Sequence, residues 1–268
     1  MTVLLPPPLG GASPEERPLG NAPLAHVVVQ ARFSSVLKID SKDGVATFQE
    51  LARKDFPLFD QVSATSMQVD LTPTGPAFRP VPTNVWRFSD PARDVVVSLT
   101  TDAITFETSS YPGRSAFLEQ WAVILRWVQD TYAPGLALRV GMRYLNRIAG
   151  DAIAQLPDWI APNLIGVALP DLRGHVSQAI SEANLEIEEG RMLLRWGILP
   201  KDGTIDPGLL EPINSTSWLL DIDAFSDTQC SFEADALINT YQRLSERVYA
   251  VFRWSLTDAG LTHFEGRS

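Results

Sequence analysis

The sequence has few of the residues that build disulfides, metal sites or membrane spans. Cys230 is the single cysteine, so an internal disulfide is impossible and a cysteine-based metal site would need other ligands. The three histidines, His26, His175 and His263, lie far apart and form no pair with metal-ligand spacing. No run of about 18 apolar residues occurs, so no membrane span is expected. We therefore expect a cytoplasmic protein without a bound metal or cofactor.

Positive charge is also scarce. The chain has 22 Lys and Arg against 32 Asp and Glu, which gives a formal net charge of −10. Free nucleic acid repels such a chain unless its basic residues gather in one patch. We expect no direct binding of free nucleic acid, which would be held only within a larger complex. A protein partner, or a second copy of the chain, is easier to accommodate.

The common catalytic signatures are missing as well. No P-loop, dinucleotide glycine fingerprint, HExxH, Cys-x-x-Cys or G-x-S-x-G stretch occurs. His175 and His263 have no serine or cysteine partner at a recognisable spacing, so a nucleophilic triad is unsupported. These absences leave enzymatic activity open and favour a non-enzymatic role.

What the chain does contain is ordinary globular composition, with 45% hydrophobic and 20% charged residues. Residues 1–22 are rich in proline and glycine and are expected to form a disordered tail. Residues 23–150 and 151–268 each read as short strands followed by a long helix. The pattern predicts an α+β fold of antiparallel meander sheets, each covered on one face by a long helix. Two similar halves packed together are a hypothesis, and one shared sheet or two sheets both remain open.

Local signals place several elements. Apolar residues at helical spacing predict long helices at 115–132 and 232–254, the second capped by Ser231. A shorter helix is expected to begin at Thr47, which has the right chemistry for a cap. The prolines and glycine within 72–83 predict an irregular connection there.

The stretch LRVGMRYLNRI alternates like a β-strand and carries Arg139, Arg143 and Arg147 on one side. Guanidinium groups bind carboxylates and phosphates in a bidentate way, so these arginines, with Asn146, are a candidate site for an anionic ligand. The alternative is that the arginines pair with carboxylates of the protein itself.

Asp221 and Asp223 in WLLDIDAF share one face of another predicted strand. Two carboxylates at this spacing can converge on a divalent cation, which makes a metal-dependent hydrolase conceivable. No third acidic residue or histidine is close in sequence. An ion pair with the arginine strand is the favoured interpretation.

Three tryptophans lie near the ends of predicted elements, where side chains often contact a partner. These interface candidates are Trp127, Trp159 and Trp254.

Several short motifs occur together in the first half of the chain: Pro23-Leu24, Arg32-Phe33, Trp86, Thr108 to Tyr111, and Arg143-Tyr144 with Asn146. As a set they resemble an uncharacterised, sporadically distributed bacterial and archaeal family of similar length. That family often has an Ala-His pair in its last helix, where this chain reads RVYAVFRWSLTDAG. The resemblance implies no known catalytic activity, and the family's patchy distribution resembles that of phage-defence and toxin–antitoxin modules.

The function expected from these observations is that of an interaction or regulatory subunit without enzymatic activity, in a conflict-related system. The alternative is a sensor of a small anionic ligand or nucleotide that uses an arginine-lined pocket. A metal-dependent hydrolase comes third.

Overall fold

The computed structural model describes residues 6–17, 19–72, 75–168 and 175–266, and within it residues 64–82 are described by their backbone alone. The described chain forms one ten-stranded antiparallel sheet with helices. The strands are β1 (Leu24–Phe33), β2 (Leu58–Thr72), β3 (Gly75–Ser89), β4 (Val95–Thr100), β5 (Ala103–Thr108), β6 (Leu136–Ala149), β7 (Ala179–Ile187), β8 (Gly190–Leu199), β9 (Ser217–Ser226) and β10 (Cys230–Ser231).

The helices follow the two meanders of the chain. They are α1 (Lys42–Ala52), α2 (Arg114–Tyr132), α3 (Leu156–Trp159), α4 (Pro162–Ile165), α5 (Ala234–Trp254) and α6 (Asp258–Phe264), with 3-10 turns at Leu37–Asp40, Gly150–Gln155 and Gly166–Ala168. The α+β class predicted from the sequence is confirmed.

The strand order shows how the two halves are joined. The order is β2-β3-β4-β5-β1-β6-β9-β8-β7, with β10 paired to β6, so both halves share one sheet. In each half the last strand of a meander returns to pair with the first strand, and a long helix follows. In the first half β5 pairs with β1 and α2 follows, and in the second half β9 pairs with β6 and α5 follows after β10. The second topological unit therefore starts at β6, ahead of the boundary at residue 150 expected from the sequence.

Both long helices pack on one face of the sheet, where the core lies. Along β1, Val27, Val29 and Ala31 alternate inward and are fully buried. Trp121 of α2 meets Tyr241 of α5 edge to face, with ring centroids 5.4 Å apart. Such aromatic pairs add to the burial of apolar area, so this contact joins the two helices over the centre of the sheet.

Two helix starts differ from the sequence prediction. α1 begins at Lys42, and Ser41 caps it by accepting a hydrogen bond of 3.1 Å from the Gly44 N–H, so Thr47 is not the cap. A Cβ on Gly44 would lie 1.7 Å from the Lys38 carbonyl oxygen. Glycine is thus needed at this position for a close approach in the first helical turn.

α5 begins at Ala234, and Ser231 belongs to β10 instead of capping the helix. The Gln129 side chain of α2 accepts a hydrogen bond of 2.7 Å from the Ala234 N–H. A tertiary contact therefore provides the cap that the local sequence was expected to provide.

The stretch from residue 72 to 83 was expected to be irregular, and this prediction is wrong for the part that is described. β3 runs from Gly75 to Ser89 and pairs with β2 along its full length, from Thr72↔Gly75 to Leu58↔Ser89. Residues 73 and 74 lie outside the described residues.

The described part of the amino-terminal segment lies against α5, in contrast to the disordered tail expected from its composition. Ser13 Oγ donates a hydrogen bond of 2.9 Å to the Glu246 carbonyl, and the Arg17 N–H donates one of 2.9 Å to Tyr249 Oη. Arg247, which is 3% exposed, donates to the carbonyls of Pro8 and Gly11. A proline-rich segment keeps such carbonyls free, so it can satisfy a buried arginine without secondary structure of its own.

Candidate functional site

The arginine strand β6 lies beside β9, and its side chains meet the carboxylates of that strand. Arg143 Nε and Nη2 donate to the two carboxylate oxygens of Asp221 at 2.8 and 3.0 Å, and its Nη1 donates to Asp206 at 2.8 Å. Asp221 is fully buried and also meets Arg195 at 3.0 Å. Arg139 lies 3.5 Å from Asp223.

The electrostatics of this cluster follow from burial and pairing together. Burial disfavours the charge of Arg143, but the carboxylates of Asp221 and Asp206 outweigh it and raise the pKa of Arg143 above its usual value. Burial raises the pKa of Asp223, although Arg139 and Arg143 act in the opposite direction. Arg139 and Arg143 are therefore already neutralised and do not form an open site for an external anion.

Arg147 is placed differently, under the connection of residues 200–216. Its Nη1 donates a hydrogen bond of 2.8 Å to the Glu211 carbonyl, and burial lowers its pKa. Its Nε and Nη2 are buried without a hydrogen-bond partner in the described part of the chain. The same connection covers a small apolar cluster formed by Leu145, Leu199, Leu210 and Leu219. Arg147 thus belongs to the packing of this connection.

The grouping of Asn146 with the arginines is wrong. Successive residues of a strand point to opposite faces, so Asn146 lies on the face opposite Arg143 and Arg147. It is 3% exposed and donates a hydrogen bond of 3.1 Å to the Leu220 carbonyl. The alternation of the sequence itself was enough to separate it from the arginines.

The geometry does not support a metal site at Asp221 and Asp223. Asp221 is occupied by Arg143 and Arg195, whose positive charge opposes a cation there. Across the described residues, no group of three or more His, Cys, Asp or Glu side chains is arranged to hold a metal ion.

The three interface candidates have different surroundings. Trp127 packs against Phe48 and Phe56 at the edge of the core, with ring centroids about 6 Å apart. Trp159 stacks on His263 with ring centroids 4.0 Å apart. Trp254 is 43% exposed at the end of α5. Only Trp254 presents a large apolar surface to solvent among these three.

The long hairpin of β2 and β3 extends past the body of the sheet. β4 pairs with β3 only from Trp86 to Ser89, whereas β2 continues to pair with β3 as far as Thr72↔Gly75. Residues 62–72 and 75–85 therefore form a two-stranded arm, and "the arm" refers to these residues below. An isolated two-stranded ribbon is marginally stable in water, so the arm adds little to the stability of the sheet.

The two edges of the arm are chemically different. Just after β3, the Asp90 N–H donates a hydrogen bond of 3.2 Å to the Val95 carbonyl. The backbone N–H and carbonyl groups of the even-numbered residues of β3 therefore point toward β4. Pro76, Pro80 and Pro82 share this parity, so their missing N–H groups fall on the edge of the arm beyond β4, where no strand of the described residues pairs with it. On the opposite edge, β2 has no proline and directs the N–H groups of its odd-numbered residues outward. One edge is blocked to strand addition and the other is open.

A cavity of about 480 Å³ lies between the helix face of the sheet, α5 and the amino-terminal segment. Tyr111 and Tyr144 line it with hydroxyl oxygens 2.7 Å apart, and Arg114 lines it at the start of α2. Leu24, Val248 and other apolar side chains form the remaining wall. The sequence contains no motif for this cavity, because its walls come from four segments far apart in the chain.

No protein-family model matches this chain, and comparison with curated proteins finds no similar sequence. In the described part of the chain, no helix combines the length and the apolar character needed to cross a membrane.

Proposed function

We propose that this protein is a non-enzymatic interaction subunit that binds another protein through the open β2 edge of the arm. The observation that carries the proposal is the asymmetry of the arm, which blocks one edge with three prolines and leaves the other unpaired. An exposed strand edge is a template for pairing with another chain. A partner segment in extended conformation can add to β2 as one more antiparallel or parallel strand.

The charge of the arm supports the same proposal. Asp70 and Arg79 are the only charged residues of its sequence, so the arm has no net charge in a protein of net charge −10. Native edge strands that must stay monomeric usually carry charges, lysine above all. A neutral edge allows a partner of either charge sign to approach the backbone groups of β2.

The base of the arm also exposes one apolar side chain on each face of the sheet. Phe59 is 37% exposed and Val62 is 42% exposed, and they lie on opposite faces of β2. Apolar side chains beside an open edge are the pockets and anchors that give strand addition its specificity. Regulation in a cytoplasmic conflict system, as the sequence resemblance implies, is the context we propose for this binding.

The test is native mass spectrometry of the tagged protein purified from its own host. In the first variant, residues 65–82 are replaced by Asn-Gly after the hydrogen-bonded pair Ala64↔Thr83, which gives a two-residue hairpin turn. In the second, Met67→Pro removes one outward N–H of β2 without removing a bond to β3. We expect a stoichiometric protein partner with the wild type and its loss in both variants.

The matched control is Glu182→Lys on β7, the other outer strand of the sheet, which should retain the partner. Circular dichroism should show the same secondary structure for all variants apart from the excised strands. A partner that survives both arm variants, or a wild-type chain without any bound protein, contradicts the proposal. If the bound protein is a second copy of the chain, the partner is the chain itself and not the different protein that we propose.

A further inference from the structure

We propose that the cavity between the amino-terminal segment, β6 and α5 binds a small carboxylic acid with an apolar body. This inference concerns a separate site from the arm and does not depend on the function proposed above. Its volume of about 480 Å³ falls within the range of about 300–1,000 Å³ typical of small-molecule sites.

A pair of tyrosines supplies the first polar group of the site. The hydroxyl oxygens of Tyr111 and Tyr144 lie 2.7 Å apart and both residues line the cavity. The pair has two hydroxyl hydrogens and uses one of them between the rings, so the other can be donated to a ligand oxygen. Burial raises the pKa of Tyr111 to about 12 and that of Tyr144 well above its usual value. Both hydroxyls therefore remain donors at neutral pH.

Arg114 supplies the positive charge. Its side chain is 11% exposed and packs over the ring of Tyr249, with 5.3 Å between the guanidinium carbon and the ring centroid. The Glu16 carboxylate approaches it to 3.4 Å from the amino-terminal segment, but that side chain is 43% exposed. A pair with one exposed partner is weak, so a ligand carboxylate can share or take over the guanidinium.

The start of α2 contributes to the same end of the cavity. α2 begins at Arg114 after Gly113, no side chain caps its first N–H groups, and its first turn has no acidic residue. Unpaired N–H groups at a helix start favour an anion. The hydroxyl pair, the guanidinium and the helix start thus converge on one polar corner.

The rest of the cavity fits an apolar body with one negative charge. Leu19, Leu24, Val248 and Phe252 supply apolar lining. Arg17 also lines the cavity, but its Nη1 donates a hydrogen bond of 3.0 Å to Glu265, and its side chain is 52% exposed, so its charge is better paired and better solvated than that of Arg114. Arg114 and Glu16 are then the remaining charges at the polar corner, which favours a monoanionic carboxylate over a phosphate dianion.

The test uses two probes with the same body, 4-phenylbutyrate and 4-phenylbutanol, titrated into the purified full chain by calorimetry. We expect one phenylbutyrate per chain, bound at least about tenfold more tightly than the alcohol, because hydrogen bonds to a charged carboxylate are stronger than those to a neutral hydroxyl. Arg114→Gln should remove the preference for the acid. Arg126→Gln is the matched control on the same helix, since Arg126 is exposed and pairs with Asp235.

Ala22→Trp tests the location, because Ala22 is exposed at the cavity and a larger side chain there fills it. It should weaken both probes. If Arg114→Gln fails to fold, Tyr111→Phe should reduce the preference for the acid in its place. Equal affinity for acid and alcohol, binding that Ala22→Trp leaves unchanged, or no saturable binding at millimolar concentration would each overturn the proposal.

Discussion

The two outer hairpins of the sheet occupy corresponding places in the two halves, yet their surroundings are opposite. The β7–β8 hairpin turns at Glu188 and Glu189, and Arg247 of α5 binds both carboxylates. The Glu188 N–H also donates to the Leu9 carbonyl of the amino-terminal segment. The β2–β3 hairpin instead continues past its neighbour β4 as the arm.

The outer edges of the two hairpins also differ in charge. β7 exposes Glu182 and Glu186 along its edge, whereas the arm's part of β2 carries a single charged residue, Asp70. Charge on an edge strand discourages pairing with another chain. The hairpin at one end of the sheet is therefore held at its turn and charged along its edge, whereas the hairpin at the other end projects and is nearly uncharged.

The largest effect on stability should come from removing the anchor of the β7–β8 hairpin. Arg247→Met leaves Glu189, whose side chain is 9% exposed, without its charge partner, and leaves two backbone carbonyls without their donor. Loss of one partner of a buried ion pair costs about 3–5 kcal/mol. Urea denaturation should show a loss of this order in the free energy of unfolding.

Arg243→Met is the control on the same helix, because Arg243 is exposed. The arm-shortened variant should lose less than about 1 kcal/mol, since an isolated ribbon adds little stability. If shortening the arm costs as much as Arg247→Met, the arm is part of the scaffold and the contrast between the hairpins is lost.

A smaller effect is expected from the turn of the same hairpin. Gly190 has φ +147°, and a Cβ there would lie 2.4 Å from the Phe225 carbonyl oxygen. Gly190→Ala should lower the free energy of unfolding by about 1–3 kcal/mol, because the backbone must shift away from β9. Thermal denaturation measures this loss.

Gly208 provides the comparison, because its nearest contact for an added Cβ is the Asp206 carboxylate at 3.5 Å. Gly208→Ala should therefore leave the midpoint of unfolding nearly unchanged. Equal losses for the two substitutions would mean that the β7–β8 turn is less constrained than the structure indicates.

The smallest effect is the pH dependence of the free energy of unfolding that comes from Asp223 on β9. Burial raises the pKa of Asp223 in the folded state above its ordinary value of 3.8, so the folded protein binds this proton more tightly than the unfolded chain. Protonation of Asp223 therefore stabilises the fold as the pH falls from neutral toward 3.8. The free energy of unfolding of the wild type, relative to Asp223→Asn, should increase over this range.

Urea unfolding of both proteins at a series of pH values checks this sign. The arm-shortened variant should keep the same pH dependence as the wild type, because the arm lies at the other end of the sheet. A difference between wild type and Asp223→Asn that stays constant or decreases at lower pH would show that pairing with Arg139 outweighs burial.

Periodic signals predicted the elements that pack on the core. The apolar stripe that predicts a helix at 115–132 corresponds to α2 at Arg114–Tyr132. The strand predicted at WLLDIDAF corresponds to β9 at Ser217–Ser226. The arm was missed because prolines indicate a break, and only the register with β2 and β4 shows that they face an unpaired edge.

The candidate sites divide in the same way. That arginines of β6 and carboxylates of β9 could pair was foreseen, because side chains on one face of neighbouring strands can meet. Asn146 was wrongly grouped with the arginines because it is close to them in sequence, although alternate residues of a strand lie on opposite faces. The cavity could not be foreseen, because Tyr111, Arg114, Tyr144 and the amino-terminal segment meet only after β6, α2 and α5 are assembled.

By itself the sequence determined the α+β class, the two long helices and the alternation of faces along β6 and β9, because these follow from local periodicity and backbone preferences. Only the tertiary structure decided that both halves share one sheet, that the arm projects beyond β4 and that a cavity opens beside α5. Those features depend on pairings between residues distant in the chain, and the free energy of such pairings is set by the neighbours that each strand and helix finds.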